Sequence, residues 1–259
     1  MALRLVVLIA LLIPCRAAFA WGTTAHRVVA RIAAADLPPD VNAGIKTLLG
    51  NDTLVTVSTM PDTWGSSRPE SRIWHFVDIP LREKAYSRSR DCKNECLVGA
   101  LQRFGYVLGA RSEPDEDRRE ALIYLVHLVA DAHQPLHTAD NGDRAANMLK
   151  IRYRNVDSNL HSYWDTTVIQ SRGESEDRYA QRLIAEAKRR DAAQLQKGTF
   201  ESWVNESHAL AGTVYKIPAS KTLDASYETW SRKAADEQLI KAGLRLRGLL
   251  VKYFSGYGR

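Results

Sequence analysis

A nearly continuous apolar stretch lies between Pro114 and Pro135, running from Ala121 to Ala130. Such a pattern is typical of a helix that is buried on most sides. Pro114 is followed by three acidic residues, which favour a first helical turn because carboxylates stabilise the positive end of the helix dipole. Proline lacks the amide hydrogen that a helix interior needs. The pattern therefore predicts a buried helix that Pro135 ends, with His137 in the loop beyond.

Other segments have the periodicity of helices with one buried face. Residues 23–37 predict a helix that ends before Pro38, and residues 96–110 predict one that two glycines weaken. Residues 174–254 contain at least three further amphipathic segments. We find no long linker or internal repeat. The predicted fold class is therefore mostly α, in a single domain.

A different periodicity marks residues 148–156, where apolar and basic side chains alternate: Leu149, Lys150, Ile151, Arg152, Tyr153 and Arg154. A period of two residues predicts a short strand or β-hairpin with one basic face. Such a face can contact phosphate groups, or it can simply be solvated. The pattern alone leaves both interpretations open.

The N-terminus has the features of a secretory signal peptide. Arg4 precedes an apolar run from Leu5 to Pro14, and Ala18 and Ala20 form the small-x-small pattern of a cleavage site. The apolar run is too short for a permanent membrane anchor. We therefore expect residues 1–20 to be removed, and residues 21–259 to form one domain of a secreted or periplasmic protein.

Charge and cysteine content fit that location. Removal of the signal peptide takes away two arginines and no acidic residue, so the formal charge falls from +6 to +4. A mildly basic chain suits a polyanionic partner, although on charge alone ordinary solubility is the favoured explanation. Two cysteines remain, Cys92 and Cys96, and an even number in an oxidising compartment predicts a disulfide.

Histidines and aspartates recur at a spacing that suits metal binding. His127 and Asp131 are four residues apart, as are His161 and Asp165, and His137 lies between the two pairs. In a helix this spacing puts both side chains on one face. Imidazole nitrogen and carboxylate oxygen are ligands that zinc prefers. A single histidine in an apolar helix is often a satisfied core residue, but the recurrence favours a metal site.

The order of these motifs resembles a known family. Trp21 as first mature residue, His26, "PDTW", "WHFVD", "HLVADAHQPLH" and "NLHSYWD" are similar, in order and approximate spacing, to motifs of the trinuclear zinc nucleases of the fungal nuclease S-one and P-one type. That family is similar in fold to bacterial zinc phospholipase C. The resemblance implies a nearly all-helical, zinc-dependent endonuclease. It would hydrolyse single-stranded DNA and RNA to 5′-phosphorylated products, with 3′-nucleotidase activity as a further possibility.

The resemblance also implies a ligand set for three zinc ions. The first ion would take Asp62, His75, His127 and Asp131. The second would share Asp131 and take His26 with the α-amine and carbonyl of Trp21. The third would take His137, His161 and Asp165. Asp62 and Asp131 would be catalytic through a metal-activated hydroxide, and His133 would lie behind the ligands.

The same resemblance implies how nucleotides bind, with one departure. Phe76 would stack on a base, Asp78 would hydrogen-bond to it, and Asn147 would line the nucleotide site; such stacking suits single strands. The family precedes this asparagine with two glycines, where the chain has Ala145 and Ala146. Glycines allow a positive φ. The sequence therefore does not predict which backbone conformation this loop adopts.

A second departure concerns a positive charge. Gly65 stands where the family usually has a basic residue, so Arg68 or Arg72 would have to replace it. Two alternative functions follow from the same ligands. A zinc phospholipase C should have an exposed apolar rim, and a non-catalytic zinc-binding protein should have no cleft of substrate size. In each case we expect a monomer without a stable protein partner.

Overall fold

Helices make up most of the structure, as the periodicity predicts. The computed structural model describes residues 21–256. Within this range the α-helices, numbered along the chain, are α1 (Thr23–Ala34), α2 (Pro39–Leu49), α3 (Leu54–Val57), α4 (Met60–Trp64), α5 (Arg88–Asp91), α6 (Leu97–Gly109), α7 (Asp115–Asp131), α8 (Leu160–Ser162), α9 (Val168–Gln170), α10 (Glu176–Ala187), α11 (Ala192–Leu195), α12 (Phe200–Val214) and α13 (Ala225–Phe254). Turns of 3₁₀-helix span Pro69–His75 and Pro135–Thr138, and a π-helical turn spans Tyr163–Thr167. The predicted fold class is confirmed.

Helix α7 is the buried helix that the apolar stretch predicts. It begins directly after Pro114, and every residue from Ala121 to Asp131 is buried. Its end was predicted too late, because α7 stops four residues before Pro135. Pro135 begins the 3₁₀ turn that carries His137, where a loop was expected. The last turn of α7 thus presents its polar side chains inside the protein.

The predicted strand is present as one half of a β-hairpin. Strands β1 (Lys150–Tyr153) and β2 (Val156–Asn159) pair antiparallel, with Lys150 opposite Asn159. Lys150 and Arg152 are exposed whereas Ile151 and Tyr153 are buried, so the predicted basic face is confirmed for these two basic residues. The hairpin leads directly into the segment that contains His161.

The core forms around α1, α7 and α13. Gly243 of α13 packs so closely against α1 that a Cβ atom there would lie 2.5 Å from Ile32. On another side of α7, Tyr124 stacks on Phe104 of α6 with ring centroids 4.4 Å apart. These contacts fix α13 against α1 and α7 against α6.

The sequence also predicts a disulfide, a signal peptide and the lack of a membrane anchor. Cys92 and Cys96 form the predicted disulfide. Between residues 21 and 256, no helix combines the length and apolar character that crossing a membrane requires. The predicted signal peptide, residues 1–20, lies outside the described residues.

Candidate metal centre

The two histidine–aspartate pairs each face in one direction, as their spacing predicts. On α7, His127 Nε2 lies 3.2 Å from Asp131 Oδ2. In the second pair, His161 Nε2 lies 3.1 Å from Asp165 Oδ2. His161 belongs to α8 and Asp165 to the following π-helical turn. Each pair offers a ring nitrogen and a carboxylate oxygen to a common point.

Asp131 lies at the centre of the site. One of its oxygens, Oδ2, lies 3.1 Å from His75 Nδ1 and 3.2 Å from His127 Nε2. The other, Oδ1, lies 3.5 Å from His26 Nε2 and 3.4 Å from His137 Nδ1. The Asp131 side chain is completely buried. Four imidazoles from separate parts of the chain therefore surround a single carboxylate, two on each oxygen.

Eight of the nine predicted ligand residues fall into two neighbouring sets. We call the first the α7 group, which consists of His26, Asp62, His75, His127 and Asp131. We call the second the turn group, which consists of His137, His161 and Asp165. Within the turn group the ligand atoms lie within 4.8 Å of one another, as they do in two overlapping triads of the α7 group. His137 joins the groups, because its Nε2 lies 3.4 Å from Asp165 Oδ1 while its Nδ1 faces Asp131.

The donor atoms of these groups fit a metal ion. Both ring nitrogens of His26, Oδ1 of Asp131 and Nδ1 of His137 are buried, and none has a hydrogen-bond partner among the residues that the structure describes. Buried polar atoms without partners are costly and rare. Imidazole nitrogens and carboxylate oxygens at such positions are the usual ligands of zinc. The residues present therefore fit the zinc ligand types that the sequence resemblance implies.

Backbone carbonyls orient two of the imidazoles. Nδ1 of His127 donates to the carbonyl oxygen of Ser58 at 2.7 Å, and Nδ1 of His161 donates to that of Ala145 at 2.7 Å. A carbonyl only accepts, so these rings carry a proton on Nδ1. Their Nε2 lone pairs are left for an ion, in the arrangement that typically fixes metal-binding histidines.

Within the α7 group, Asp131 and His26 are held in the protonation states that bind metals, whereas the charges of Asp131 and Asp62 outweigh burial and raise the pKa of His127 to about 9. Burial alone would raise the pKa of Asp131, but the charge of His127 and hydrogen bonds from the surrounding histidines hold it well below its usual range. Burial, reinforced by the charge of His127, holds the pKa of His26 well below its ordinary value. Asp131 is therefore ionised and His26 neutral at neutral pH, as metal binding requires. Burial raises the pKa of Asp62.

The chain at Trp21 lies against the turn group. Trp21 is fully buried, and the amide of Gly22 donates to the carbonyl oxygen of Asp165 at 2.7 Å. A Cβ atom on Gly22 would lie 2.8 Å from Thr166 Oγ1 and 3.0 Å from that same carbonyl oxygen, so only glycine fits. A cavity of about 280 Å³ opens here and reaches Asp62. Sequence reasoning missed Gly22, since only the fold brings it to Asp165.

Comparison with known proteins identifies the family. The sequence model described as S1/P1 Nuclease matches residues 21–255. The chain belongs to this family. It is 31% identical to Endonuclease 3 of Arabidopsis thaliana over 92% of the chain and 90% of that relative. It is 30% identical to Nuclease S1 of Aspergillus oryzae over 58% and 55% of the two chains, and 28% identical to Nuclease P1 of Penicillium citrinum over 56% and 57%.

Membership of the S1/P1 nuclease family establishes the reaction class. The protein is a hydrolase that cleaves phosphodiester bonds of nucleic acid, and the family is zinc-dependent. The three metal-binding triads agree with that dependence. A zinc phospholipase C would need an exposed apolar rim, yet only four large apolar side chains are exposed within residues 21–256: Ile73, Tyr106, Met148 and Val156.

One polar contact to the turn group was missed, and one expectation was wrong. Nε2 of Gln134 donates to Oδ1 of Asp165 at 2.6 Å, deep in the protein. The resemblance placed His133 behind the ligands instead. Its ring faces away, because Nδ1 donates to the carbonyl oxygen of Val129 and Nε2 accepts from the guanidinium of Arg245. Gln134 therefore has the supporting position that His133 was expected to hold.

The predicted base-binding residues lie just beyond His75. Phe76 is half-buried and Asp78 is exposed, so a base can reach both side chains. Partial desolvation of its carboxyl group by the surrounding residues, together with the charge of Asp140, raises the pKa of Asp78. Asn147 is half-buried, and its side-chain amide donates to the carbonyl oxygen of Arg144 at 2.9 Å. All three side chains are thus at least partly accessible to a nucleotide.

The loop before Asn147 keeps a left-handed path although it lacks glycines. Arg144, Ala145 and Ala146 have φ values of 59°, 53° and 65°. The amide of Ala145 donates to Asp140 Oδ1, and that of Ala146 to Asp143 Oδ1, each at 2.7 Å. These carboxylates hold the strained backbone in place, and with it the Ala145 carbonyl that orients His161.

The two candidate arginines differ in what they contact. Arg68 pairs with Glu120 at 2.7 Å and lies over the ring of Trp64. Arg72 instead donates from Nε to the carbonyl oxygen of Gly65 at 2.8 Å, and its stem would lie 3.4 Å from a Cβ atom at Gly65. Arg72 therefore contacts Gly65 directly, whereas Arg68 is engaged by Glu120 and Trp64.

Proposed function

We propose that the protein is an exported nuclease that binds three zinc ions and hydrolyses single-stranded DNA and RNA, leaving 5′-phosphates and 3′-hydroxyls. One observation carries the proposal. A fully buried Asp131 faces four imidazoles, and four buried nitrogen and oxygen atoms of Asp131, His26 and His137 have no hydrogen-bond partner within residues 21–256. Membership of the S1/P1 nuclease family supports the same conclusion.

In this proposal the α7 group and the N-terminus hold two ions, and the turn group holds the third. The first ion takes Asp62, His75, His127 and Asp131. The second takes Asp131, His26 and the amine and carbonyl of Trp21. The third takes His137, His161 and Asp165. When bound, zinc supplies positive charge for the anionic phosphodiester and makes water a better nucleophile near neutral pH.

Within this site the side chains of the protein set the positions of the ligand atoms. Asp131 divides its two oxygens between two pairs of imidazoles, so it fixes the separation of the ligands on either side. Asp62 is the carboxylate of the α7 group that also lines the cavity of about 280 Å³. We assign the catalytic roles to Asp62 and Asp131 for these reasons. A cavity that reaches the ligands favours an enzyme over a storage protein.

For the nucleotide, we propose that Phe76 stacks on one base and Asp78 accepts a hydrogen bond from it. Stacking on an aromatic ring tolerates any base but requires an unpaired strand. Asn147 lines the same site, and Arg72 contributes positive charge near the phosphate. The half-buried Phe76 and the exposed Asp78 support this assignment.

We further propose export and cleavage before Trp21, with a monomeric mature protein. Two observations support processing at this position. The family match begins at residue 21, and Trp21 is already fully buried. The signal-like segment supplies the export route.

The decisive experiment compares substrates side by side. Zinc-loaded protein that begins at Trp21 is assayed on single-stranded DNA, RNA, duplex DNA, 3′-mononucleotides and phosphatidylcholine vesicles, with end-group analysis of the products. We expect rapid cleavage of both single strands to 5′-phosphorylated products. Release of diacylglycerol from the vesicles without nucleic acid cleavage would overturn the proposal in favour of the phospholipase.

A further inference from the structure

A second groove of about 600 Å³ lies beside the β-hairpin. One wall is β1 with its partner strand β2. The other is a turn after Pro218. Two backbone hydrogen bonds hold this turn to β1: the amide of Arg152 donates to the carbonyl oxygen of Lys221 at 2.8 Å, and the carbonyl oxygen of Arg152 accepts from the amide of Leu223 at 2.8 Å. Hydrogen bonds thus fix both walls, so the groove is a built feature of the fold.

The groove has the chemistry of a phosphate-binding surface. Lys150 and Lys221 are exposed, and neither ammonium group has an acidic partner within residues 21–256. Arg152 also lines it but pairs with Asp157 at 2.9 Å, so that pair adds no net charge. The remaining polar side chains are hydroxyls: Ser158, Ser220 and Thr222. Lysines and hydroxyls are typical contacts to the backbone of nucleic acids.

The structure also corrects which residues the basic surface contains. The alternating pattern of the strand groups Arg154 with Lys150 and Arg152. Arg154 instead pairs with Glu228 at 2.7 Å and does not line the groove. Lys221, more than sixty residues further along the chain, takes its place.

The groove lies next to the metal centre. Lys150 pairs with Asn159 across the hairpin, a strand spacing of about 5 Å. His161 of the turn group follows Asn159 by two residues. The Lys150 end of the groove is therefore close to the turn group along the chain, which makes the groove a candidate path for a strand that extends from the centre.

We infer that this groove binds the sugar–phosphate backbone of single-stranded nucleic acid beyond the cleavage site, with Lys150 and Lys221 as its main phosphate contacts. The inference rests on the proposed function. It gives the enzyme a binding surface that a dinucleotide cannot reach and a long strand can. The groove should therefore increase kcat/KM on long substrates and leave the chemical step unchanged.

The test is the double variant Lys150→Gln/Lys221→Gln in the zinc-loaded enzyme. The matched control is Lys46→Gln/Lys252→Gln, which removes the same charge from two exposed lysines on α2 and α13. Glu228, which pairs with the hairpin, lies 24 residues before Lys252 on α13. Lys252 is therefore about 36 Å along the helix from the hairpin contact. Both variants and the wild type are assayed on a dinucleotide and on a long single strand of DNA over a range of salt concentrations.

We expect the groove variant to lose roughly tenfold in kcat/KM on the long strand and to keep dinucleotide cleavage unchanged. The slope of log(kcat/KM) against log[salt] should become shallower by about 1.4, since each phosphate contact to a single strand contributes about 0.7. The control should match the wild type. An unchanged long-strand rate, an equal loss in the control, or an equal loss on the dinucleotide would each overturn the inference. Failure of the wild type to cleave the dinucleotide would instead contradict the proposed function.

Discussion

The α7 group and the turn group use the same residue types, but the fold supports them differently. His26 and the pair on α7 project from long helices whose backbone is regular and buried. His137 and the pair His161–Asp165 project from a 3₁₀ turn, a single α-helical turn and a π-helical turn. Helix packing fixes these three members of the α7 group, whereas Asp62 lies in the short helix α4 and His75 ends a 3₁₀ turn. The turn group depends entirely on hydrogen bonds between turns, so we expect it to be the more easily perturbed.

Strain in the neighbouring loop shows this dependence. Three consecutive residues, Arg144, Ala145 and Ala146, adopt left-handed conformations, which cost about 1–2 kcal/mol each for residues other than glycine. Asp143 holds this loop and is itself held by the hydroxyl of Tyr215 at 2.9 Å. The loop in turn places the carbonyl that orients His161. Strain of this kind persists where the surrounding contacts over-determine it.

The largest effect should come from Asp131→Asn in the α7 group. The amide removes a negative charge that faces four imidazoles, so both ions proposed to share it should be lost or displaced. Loss of a residue that merely supports a ligand typically costs 10–100-fold, so we expect a decrease in kcat of more than about 100-fold. Zinc content by mass spectrometry and single-strand cleavage measure both consequences.

Asp78→Asn is the control for this variant, because Asp78 is proposed only to orient a base. We expect it to retain all its zinc and to lose about tenfold or less, the value of one hydrogen bond. Comparable losses of turnover in the two variants, with zinc retained in both, would contradict the bridging role of Asp131.

The second-largest effect should come from adding one residue before Trp21, the proposed N-terminus of the mature protein. A protein with one methionine before Trp21 has an amide in place of the free amine, and an amide nitrogen cannot bind zinc in this way. An α-amine has a pKa of about 7.7–8.0, so it loses its proton at little cost near neutral pH. We expect the extended protein to fold, to contain about one zinc ion fewer and to lose most of its nuclease activity. Equal zinc content and equal rates would eliminate the N-terminal ligand.

How much of this site the sequence predicts depends on the group. The spacing of His127 and Asp131 within an apolar run indicates a shared helix face, because helix geometry relates positions four apart without knowledge of the fold. The alternation around Lys150 predicts the hairpin for a similar reason. Gly22 and Gln134 carry no such periodic signal. Their roles come from contacts to Asp165 that exist only after the turns have packed together.

The resemblance to known nucleases supplied what periodicity could not, with limits. It grouped His26, Asp62 and His75 with the pair on α7, residues that the fold brings together from distant positions. It misplaced His133, because the ring packs against Arg245 of α13 instead. It also left the path of the loop at Ala145 open. That path depends on carboxylates at Asp140 and Asp143, whose hydrogen bonds hold non-glycine residues in a left-handed conformation.

A third, smaller effect is expected from Gln134→Leu in the turn group. The substitution removes the amide that donates to Asp165 and the cap of the 3₁₀ turn that carries His137, but it changes none of the proposed ligands themselves. Supporting contacts of this type are worth 10–100-fold in metal affinity or activity. We expect one of three zinc ions to dissociate at a lower chelator concentration, with the other two unaffected, as measured by chelator titration with zinc quantification.

Ser207→Ala provides the matched control for Gln134→Leu. It removes another buried hydrogen bond, the one that the Ser207 hydroxyl donates to the carbonyl oxygen of Ala132, but touches no proposed ligand. We expect it to lower thermal stability and to leave zinc retention unchanged. If both variants released zinc equally early, Gln134 would have only a general structural role.

The smallest effect is a change of stability in the strained loop. Ala145→Gly should relieve about 1–2 kcal/mol of left-handed strain and add about 0.5–1 kcal/mol of backbone entropy loss on folding. Ala145 lies at the edge of the core, so little packing is lost. The expected net gain of roughly 0.5–1 kcal/mol corresponds to a rise in Tm of about 2–3 °C for a chain of this size. Thermal unfolding of the zinc-loaded protein measures it.

The same substitution in a regular helix should have the opposite sign. Ala43 is exposed in the interior of α2, where glycine costs about 1 kcal/mol relative to alanine. Ala43→Gly should therefore lower Tm while Ala145→Gly raises it. Opposite signs would attribute the difference to the left-handed backbone at Ala145, since the two substitutions remove the same methyl group. A similar decrease in both variants would mean that the loop stores no strain, and the support proposed for His161 would then need another origin.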